Sequence, residues 1–162
     1  MDYPKISLLT PTYNRSNFLP LVVHNLQNVD YEKNKIEWCV LDDGNTPLFT
    51  KGNIQKYRDL IKPIKLNYVY STEKKTIGKK RNQLVKQASN KIVMFMDDDD
   101  IYLKSFIKHS VEVMKKEKAG LVGSNQMLFN FTNHNYRFTM LQCFSKRLIH
   151  EATMCFTKKY FK

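Results

Sequence analysis

Over the first two thirds of the chain, apolar runs of strand length alternate with segments whose apolar residues recur at helical spacing. The strand-like runs occupy residues 5–10, 36–44, 64–72 and 91–96. The helical segments occupy residues 16–29, 54–61, 77–88 and 103–114. Strands that alternate with helices are joined by right-handed crossovers, which build a mainly parallel sheet covered on both faces. The pattern therefore predicts an α/β fold.

Smaller signals predict where the helices begin and end. Ser16 or Asn17 is expected to cap the first helix, with Pro20 in its first turn. Ile77 is expected on the buried face of the third helix. Gly120 lies just past the fourth helical segment and is expected to be its C-cap.

The last third of the chain has a different pattern. Short apolar runs at residues 121–124, 126–131 and 136–141 are separated by turn-like residues at 132–135. This spacing predicts short mixed or antiparallel strands added to the sheet. The composition, 42% hydrophobic and 26% charged, is typical of a globular domain. We therefore expect a single domain over residues 1–162.

The charge indicates the class of partner. A formal net charge of +12 favours an anionic one, which charge alone leaves open as nucleic acid, an acidic membrane surface or the phosphates of a small substrate. The apolar runs are too short to span a membrane, and the first ten residues become polar too early for a signal peptide, so a cytoplasmic location is expected. Cys39, Cys143 and Cys155 have no C-x-x-C spacing and are expected to be reduced.

Polar residues gather where the predicted strands end. Four adjacent carboxylates, residues 97–100, follow an apolar strand directly, and such like charges are costly unless a cation neutralises them. Ligands of open parallel sheets bind outside the carboxyl ends of the strands, where residues 10–15, 42–44 and 78–82 also converge. The sequence thus predicts a ligand site at this edge, with a metal ion at the acid run.

Four blocks carry a family resemblance: LLTPTYNR, VLDDGN, IGKKRNQLVKQASNKIVMFMDDDD and EATMCFTKKYF. In this order, and over nearly the whole chain, they resemble the family 2 glycosyltransferases with the GT-A fold, although a lone D-x-D motif is a weak signal. The resemblance implies a Rossmann-like sheet and a metal-dependent, inverting transfer of a sugar. The donor would be a nucleoside-diphosphate sugar, most simply a UDP-sugar, and the acceptor a hydroxyl group of a glycan or another molecule.

The resemblance also implies roles for the residues of the donor site. Thr10 and Tyr13 would form the nucleobase pocket, with the tyrosine ring packing on the base and Asp43 accepting a hydrogen bond from it. Arg81 would lie near the base or the diphosphate. The remaining donor-site residues would be Pro11, Arg15, Asp42, Lys79 and Asp98, although a solvated position is the simpler expectation for both Lys79 and Lys80.

A metal site is implied at the acid run. Asp97 would face the ribose and the metal, and Asp99 would bind Mn²⁺ or Mg²⁺ bridging the diphosphate, with His150 as a further candidate ligand. Hard divalent cations take oxygen ligands and often need only one or two protein carboxylates beside substrate phosphates. Such an ion stabilises the charge that develops on the departing diphosphate.

The general base is the least defined part of the site. An inverting transfer needs a carboxylate that deprotonates the acceptor hydroxyl, and the family supplies it from an acidic pair downstream of the last block. Glu151 could serve, or the chain could bind the donor without efficient transfer, or it could be truncated at its C-terminus, which we expect. Residues 1–100 would then bind the sugar nucleotide, and residues 101–162 would begin the acceptor-binding part.

Structural interpretations of the same residues stay open. The acid run could cap a helix N-terminus, residues 42–44 could form a plain turn, and Tyr13 could simply pack under a loop. A P-loop is excluded, because Glu73 stands where its first glycine belongs. Two other functions are also open: a nucleotidyltransferase of similar fold, and a basic nucleic-acid-binding domain whose acids are structural. With the glycosyltransferase interpretation no nucleic acid is expected as a partner, and a membrane surface, without a span, stays open.

Overall fold

The computed structural model describes residues 2–133, 135–145 and 147–161. Its centre is a six-stranded sheet of β1 (Ile6–Thr12), β2 (Ile36–Asp42), β3 (Lys65–Tyr70), β4 (Ile92–Phe95), β5 (Leu121–Val122) and β8 (Cys155–Thr157). The order of the strands in the sheet is β3-β2-β1-β4-β8-β5. The first four are parallel to one another, whereas β8 runs antiparallel to both β4 and β5. The expected α/β fold with a mainly parallel sheet is confirmed.

Helices cover both faces of this sheet, as expected. They are α1 (Leu19–Asn28), α2 (Ile54–Ile61), α3 (Ile77–Gln87) and α4 (Phe106–Lys116). Side chains of α1, α2 and α4 pack with Leu8 and Trp38 on one face, and those of α3 pack with Leu9 and Cys39 on the other. Every residue of β1 and β2 is buried, which is typical of central parallel strands.

The C-terminal third differs in part from the expectation. Strands β6 (Gln126–Phe131) and β7 (Arg137–Gln142) form a separate antiparallel hairpin, so the expectation that they join the main sheet is wrong. Their apolar side chains, including Leu128, Phe138 and Met140, are exposed. The expected turn at 132–135 includes His134, which lies outside the described residues.

Three details of the helices also differ. A short 3-10 helix, Ser16–Phe18, precedes α1, and within residues 2–133 neither helix start has a side-chain capping bond, so the expected cap is wrong. Ile77, expected on the buried face of α3, is 51% exposed. The Thr76 hydroxyl caps the start of this helix by accepting a hydrogen bond from the Lys79 N–H. After α4 the left-handed residue is Lys118, with φ 49°, and not Gly120.

Candidate active site

A cleft of about 370 Å³ opens outside the carboxyl ends of β1 and β4. The chain passes from β1 to β2 and β3 on one side and returns to β4 on the other, so the connections diverge and leave a crevice there. The cleft is lined by Pro11, Tyr13, Arg15, Ile77, Lys80, Arg81, Asp97, Asp98 and Asp99. Seven of the residues assigned to the donor and the metal from sequence therefore lie together, while Lys80 and Ile77 were not assigned.

One wall of the cleft is the ring of Tyr13 with two lysines beside it. The Lys74 Nζ lies 4.2 Å from the ring centroid, and the Lys80 Nζ lies 5.9 Å from it. Both ammonium groups are within the distance at which a ring face attracts a cation. An aromatic ring with cationic groups beside it suits a planar ligand that carries phosphates.

Asp43 and Lys80 form a buried ion pair behind this wall. The Lys80 Nζ lies 2.7 Å from Asp43 Oδ1 and also donates to the Thr12 carbonyl at 2.9 Å. The other carboxylate oxygen of Asp43 accepts the backbone N–H of Lys75 at 2.6 Å. Burial disfavours the charged carboxylate, but these hydrogen bonds outweigh it and hold the pKa of Asp43 below its ordinary value. The expectation of a solvated Lys80 is wrong, whereas Lys79 is exposed.

Asp42 and Thr10 are bound into the scaffold. Asp42 accepts hydrogen bonds from the Gly44 and Leu48 amides and from the Tyr68 hydroxyl, at 2.7 to 2.9 Å. The Thr10 hydroxyl donates to the Met96 carbonyl at 2.7 Å and accepts from the Trp38 indole N–H at 2.9 Å. Both side chains are buried, at 1% exposure. Both side chains thus shape the cleft from behind, and their roles in binding the donor stay predictions.

Arg81 connects the acid run to the C-terminal segment. Its guanidinium lies 3.1 Å from Asp97 Oδ2 and 2.6 Å from Glu151 Oε2, and it stacks over Phe95. Burial raises the pKa of Asp97 above its ordinary value, although Arg81 opposes the shift. The Tyr102 hydroxyl accepts from the Asp97 amide at 2.9 Å and donates to the Ala152 carbonyl at 3.2 Å. Glu151 is therefore held at the cleft through Arg81.

Arg15 lies against the middle of the acid run. One of its nitrogens is 2.9 Å from Asp98 Oδ1 and 2.5 Å from Asp99 Oδ2. The other oxygen of Asp98 is buried, and the described residues offer it no hydrogen-bond partner. At the end of the run, burial and the neighbouring aspartates raise the pKa of Asp100 to about 6. The acid run ends before α4 begins at Phe106, so the helix-capping interpretation is wrong.

The acid run fits a hard divalent cation that brings phosphate ligands with it. Within the described ranges, no group of three or more His, Cys, Asp or Glu side chains is arranged to hold a metal by itself. The unpartnered oxygen of Asp98 and the half-exposed carboxylate of Asp99 are oxygen donors of the kind that Mn²⁺ and Mg²⁺ prefer. His150 has a buried Nε2 that finds no partner among the described residues, and its role as a ligand stays a prediction.

Comparison with known proteins decides the family. The model of glycosyl transferase family 2 matches residues 7–160. The chain belongs to this family. One curated relative of this family 2 chain is the poly(ribitol-phosphate) beta-N-acetylglucosaminyltransferase TarS of Staphylococcus aureus, which is 35% identical over 73% of the chain. Another is the GalNAc(5)-diNAcBac-PP-undecaprenol beta-1,3-glucosyltransferase of Campylobacter jejuni, which is 33% identical over 75% of the chain.

Solved structures place the fold among the GT-A glycosyltransferases. The mannosyltransferase PcManGT of Pyrobaculum calidifontis, in complex with GDP-Man and Mn²⁺, matches 98% of the chain with a TM-score of 0.73 and 17% identity. TarS 1–349 in complex with UDP-GlcNAc matches 74% with a TM-score of 0.62 and 29% identity. The family 2 chain spans 46% and 33% of these structures, and 20% and 38% of the two curated relatives.

The expected fold and the expected family are both confirmed. Within residues 2–133, 135–145 and 147–161, no helix is long and apolar enough to cross a membrane. The cytoplasmic location, the division at residue 100 and the individual site roles stay predictions.

Lys80 and Tyr102 are the site residues that sequence reasoning missed. Lys80 lies four residues before Leu84, on the buried side of α3, and this i,i+4 relation was the signal that could have found it. Tyr102 had no comparable local signal, because its hydroxyl joins segments that are far apart in sequence.

Proposed function

We propose that the chain supplies the donor-binding part of a glycosyltransferase. It would move a sugar from a nucleoside-diphosphate donor, most simply a UDP-sugar, to an acceptor hydroxyl with inversion at the anomeric carbon. The observation that carries the proposal is the cleft itself, in which Tyr13, Arg81 and residues 97–99 converge at the switch point of the sheet. Relatives that bind UDP-GlcNAc or GDP-Man with the same fold support it.

Each wall of the cleft suits one part of such a donor. The ring of Tyr13 offers a face on which a nucleobase stacks, and Lys74 beside it attracts the phosphates. The buried Asp43–Lys80 pair fixes the backbone that carries Tyr13, since Lys80 also binds the Thr12 carbonyl. Arg81 holds Asp97 in place at the acid run.

Asp98 and Asp99 would hold Mn²⁺ or Mg²⁺, with Asp97 beside them. The bound ion would neutralise the diphosphate as it leaves. The positive charges of Arg15 and Arg81 add to the same stabilisation, because both groups lie at the acid run and stay protonated at all relevant pH values.

The transfer itself would proceed by a single displacement. The acceptor oxygen forms a bond to the anomeric carbon while the bond to the diphosphate oxygen breaks, and a carboxylate takes the hydroxyl proton. Glu151 is the candidate for this role within the chain, since its side chain is 69% exposed and Arg81 holds one of its oxygens at the cleft. Residues 101–162 would begin the acceptor-binding part.

Calorimetric titration with UDP, GDP, UTP and a UDP-sugar, each with and without Mn²⁺, tests the proposal. We expect UDP binding that needs the metal and that Asp99→Ala weakens by at least about tenfold, a loss of ~1.4 kcal/mol. Asp59→Ala is the matched control, because Asp59 is an exposed aspartate of α2, outside the lining of the cleft, and contacts Gln55 and Lys62 of the same helix and its C-cap. A folded protein that binds neither diphosphate in the presence of Mn²⁺ would contradict the proposal, and binding of UTP but not of a UDP-sugar would favour nucleotidyl transfer.

A further inference from the structure

Arg15 occupies the position at which a cation is expected. It follows β1 by three residues, and its side chain turns back over the acid run. The same terminal nitrogen contacts Asp98 at 2.9 Å and Asp99 at 2.5 Å, while the guanidinium carbon lies 5.7 Å from the centre of the Phe18 ring. A positive group is thus shared between two adjacent carboxylates, as a divalent ion would be.

In this arrangement only one of the two carboxylate oxygens of Asp98 has a hydrogen-bond partner among the described residues. Asp98 is 5% exposed, and its Oδ2 has no hydrogen-bond partner among the residues that the structure describes. Buried charged oxygens are costly when unpaired, so Asp98 gains from a second positive or hydrogen-bonding group. Arg15 contacts Oδ1 of Asp98 and so does not meet this need.

The contact of Arg15 with Asp99 holds its side chain only weakly. The two side chains are 43% and 40% exposed, and an ion pair between exposed side chains contributes only about 0–1 kcal/mol. Its long side chain reaches the cleft from the β1 side, where it lines the wall together with Pro11 and Tyr13. Released from the aspartates, its guanidinium lies within the same cleft and suits a phosphate.

We propose that Arg15 is an internal counter-ion that competes with the divalent cation for Asp98 and Asp99, and that the donor diphosphate draws it away. This inference rests on the proposed function for the metal and the diphosphate. Metal alone must displace Arg15 and therefore binds weakly, whereas metal with diphosphate binds strongly, because the phosphates take Arg15 as the ion takes the carboxylates. The two ligands are then coupled through one side chain.

Mn²⁺ binding, followed by the electron paramagnetic resonance signal of the free ion, tests the inference without any measurement of transfer. The proteins are the wild type, Arg15→Gln and Arg58→Gln, each titrated with and without UDP at fixed ionic strength. Arg58→Gln makes the same substitution at an exposed position of α2, outside the lining of the cleft, and reports the general electrostatic effect. Far-UV circular dichroism confirms that each variant is folded.

We expect Arg15→Gln to bind Mn²⁺ alone at least about fivefold more tightly than the wild type, the lower end of typical coupling between sites. Arg58→Gln should change the affinity by less than about twofold, since exposed charges are screened by salt. UDP should increase the Mn²⁺ affinity of the wild type more than that of Arg15→Gln.

Two other outcomes separate the inference from the proposed function. If Mn²⁺ alone binds Arg15→Gln no more tightly than the wild type, while the wild type still binds UDP with Mn²⁺, the inference is wrong and the proposed function stands. If neither protein binds Mn²⁺ or UDP, both are overturned.

Discussion

The buried Asp43–Lys80 pair makes a sharp prediction for Lys80→Met, which keeps the length of the side chain and removes its charge. The two side chains are 0% and 7% exposed, so the variant leaves the Asp43 carboxylate buried without its counter-ion. Removing one partner of such a pair costs about 3–5 kcal/mol. The Lys75 amide still binds Asp43, so we expect the lower end, ~3 kcal/mol, or about 6–12 °C in Tm for a domain of this size.

The dependence on pH identifies the cause. In the wild type the pKa of Asp43 is lowered, so the stability from its ionised form is present above the ordinary value of 3.8 and is lost as the pH falls through the folded-state pKa. In Lys80→Met burial remains without the lysine, so we expect the pKa of Asp43 to rise above 3.8. The variant then loses stability as the pH rises, and its difference from the wild type shrinks from pH 7 towards pH 4.

Urea unfolding followed by circular dichroism at pH 7 and pH 4 measures both effects. Lys79→Met, one position earlier and exposed, should change the free energy of unfolding by less than about 0.5 kcal/mol. Adding Asp43→Asn to Lys80→Met should restore part of the loss, since no buried charge remains. A loss below about 1 kcal/mol at pH 7, or one that is the same at pH 4, would refute the reasoning.

Three further changes have expected outcomes in the same unfolding assay. Thr10→Val should lower the free energy of unfolding by about 1–3 kcal/mol, because the buried Trp38 N–H loses its acceptor; an unchanged value would contradict the assignment of Thr10 to the scaffold. Lys118→Gly should raise it by about 0.5–1 kcal/mol because φ is 49° there, whereas Lys116→Gly, at the last helical residue of α4, should lower it. Phe138→Ser in β7 should change it by no more than about 0.5 kcal/mol while reducing self-association in light scattering, since Phe138 is 58% exposed.

The sequence predicted the parallel part of the fold because its strands are recognisable locally. The apolar runs of β1 to β4 are strand-sized, and the helices between them have clear periodicity. Strand β8 has only three residues and owes its conformation to pairing with β4 on one side and β5 on the other. Such pairing partners lie far away in sequence, and so no local pattern revealed it.

The position of the site was predictable, but the direction of its side chains was not. Successive residues at the end of a strand point to opposite faces of the sheet. Asp42 therefore bonds Tyr68 and the loop amides, while Asp43 meets Lys80 on the face that α3 covers. Two adjacent aspartates at the end of a strand must point to opposite faces, so one of Asp42 and Asp43 was bound to face α3. The sequence does not show which of the two it is.

The placement of β8 also fixes the order in which the protein matures as it is synthesised. Strand β4 is synthesised before its partner β8. One of its hydrogen-bonding edges therefore stays unpaired until the hairpin of β6 and β7 and the segment that contains Glu151 have been made. Strand β5 cannot join the sheet earlier, since it pairs with β8. The contact of Arg81 with Glu151 has the same requirement, because the 3-10 helix Glu151–Thr153 lies just before β8 in the chain. A nascent chain therefore cannot complete this edge of the sheet, or this contact at the cleft, until both segments have been made.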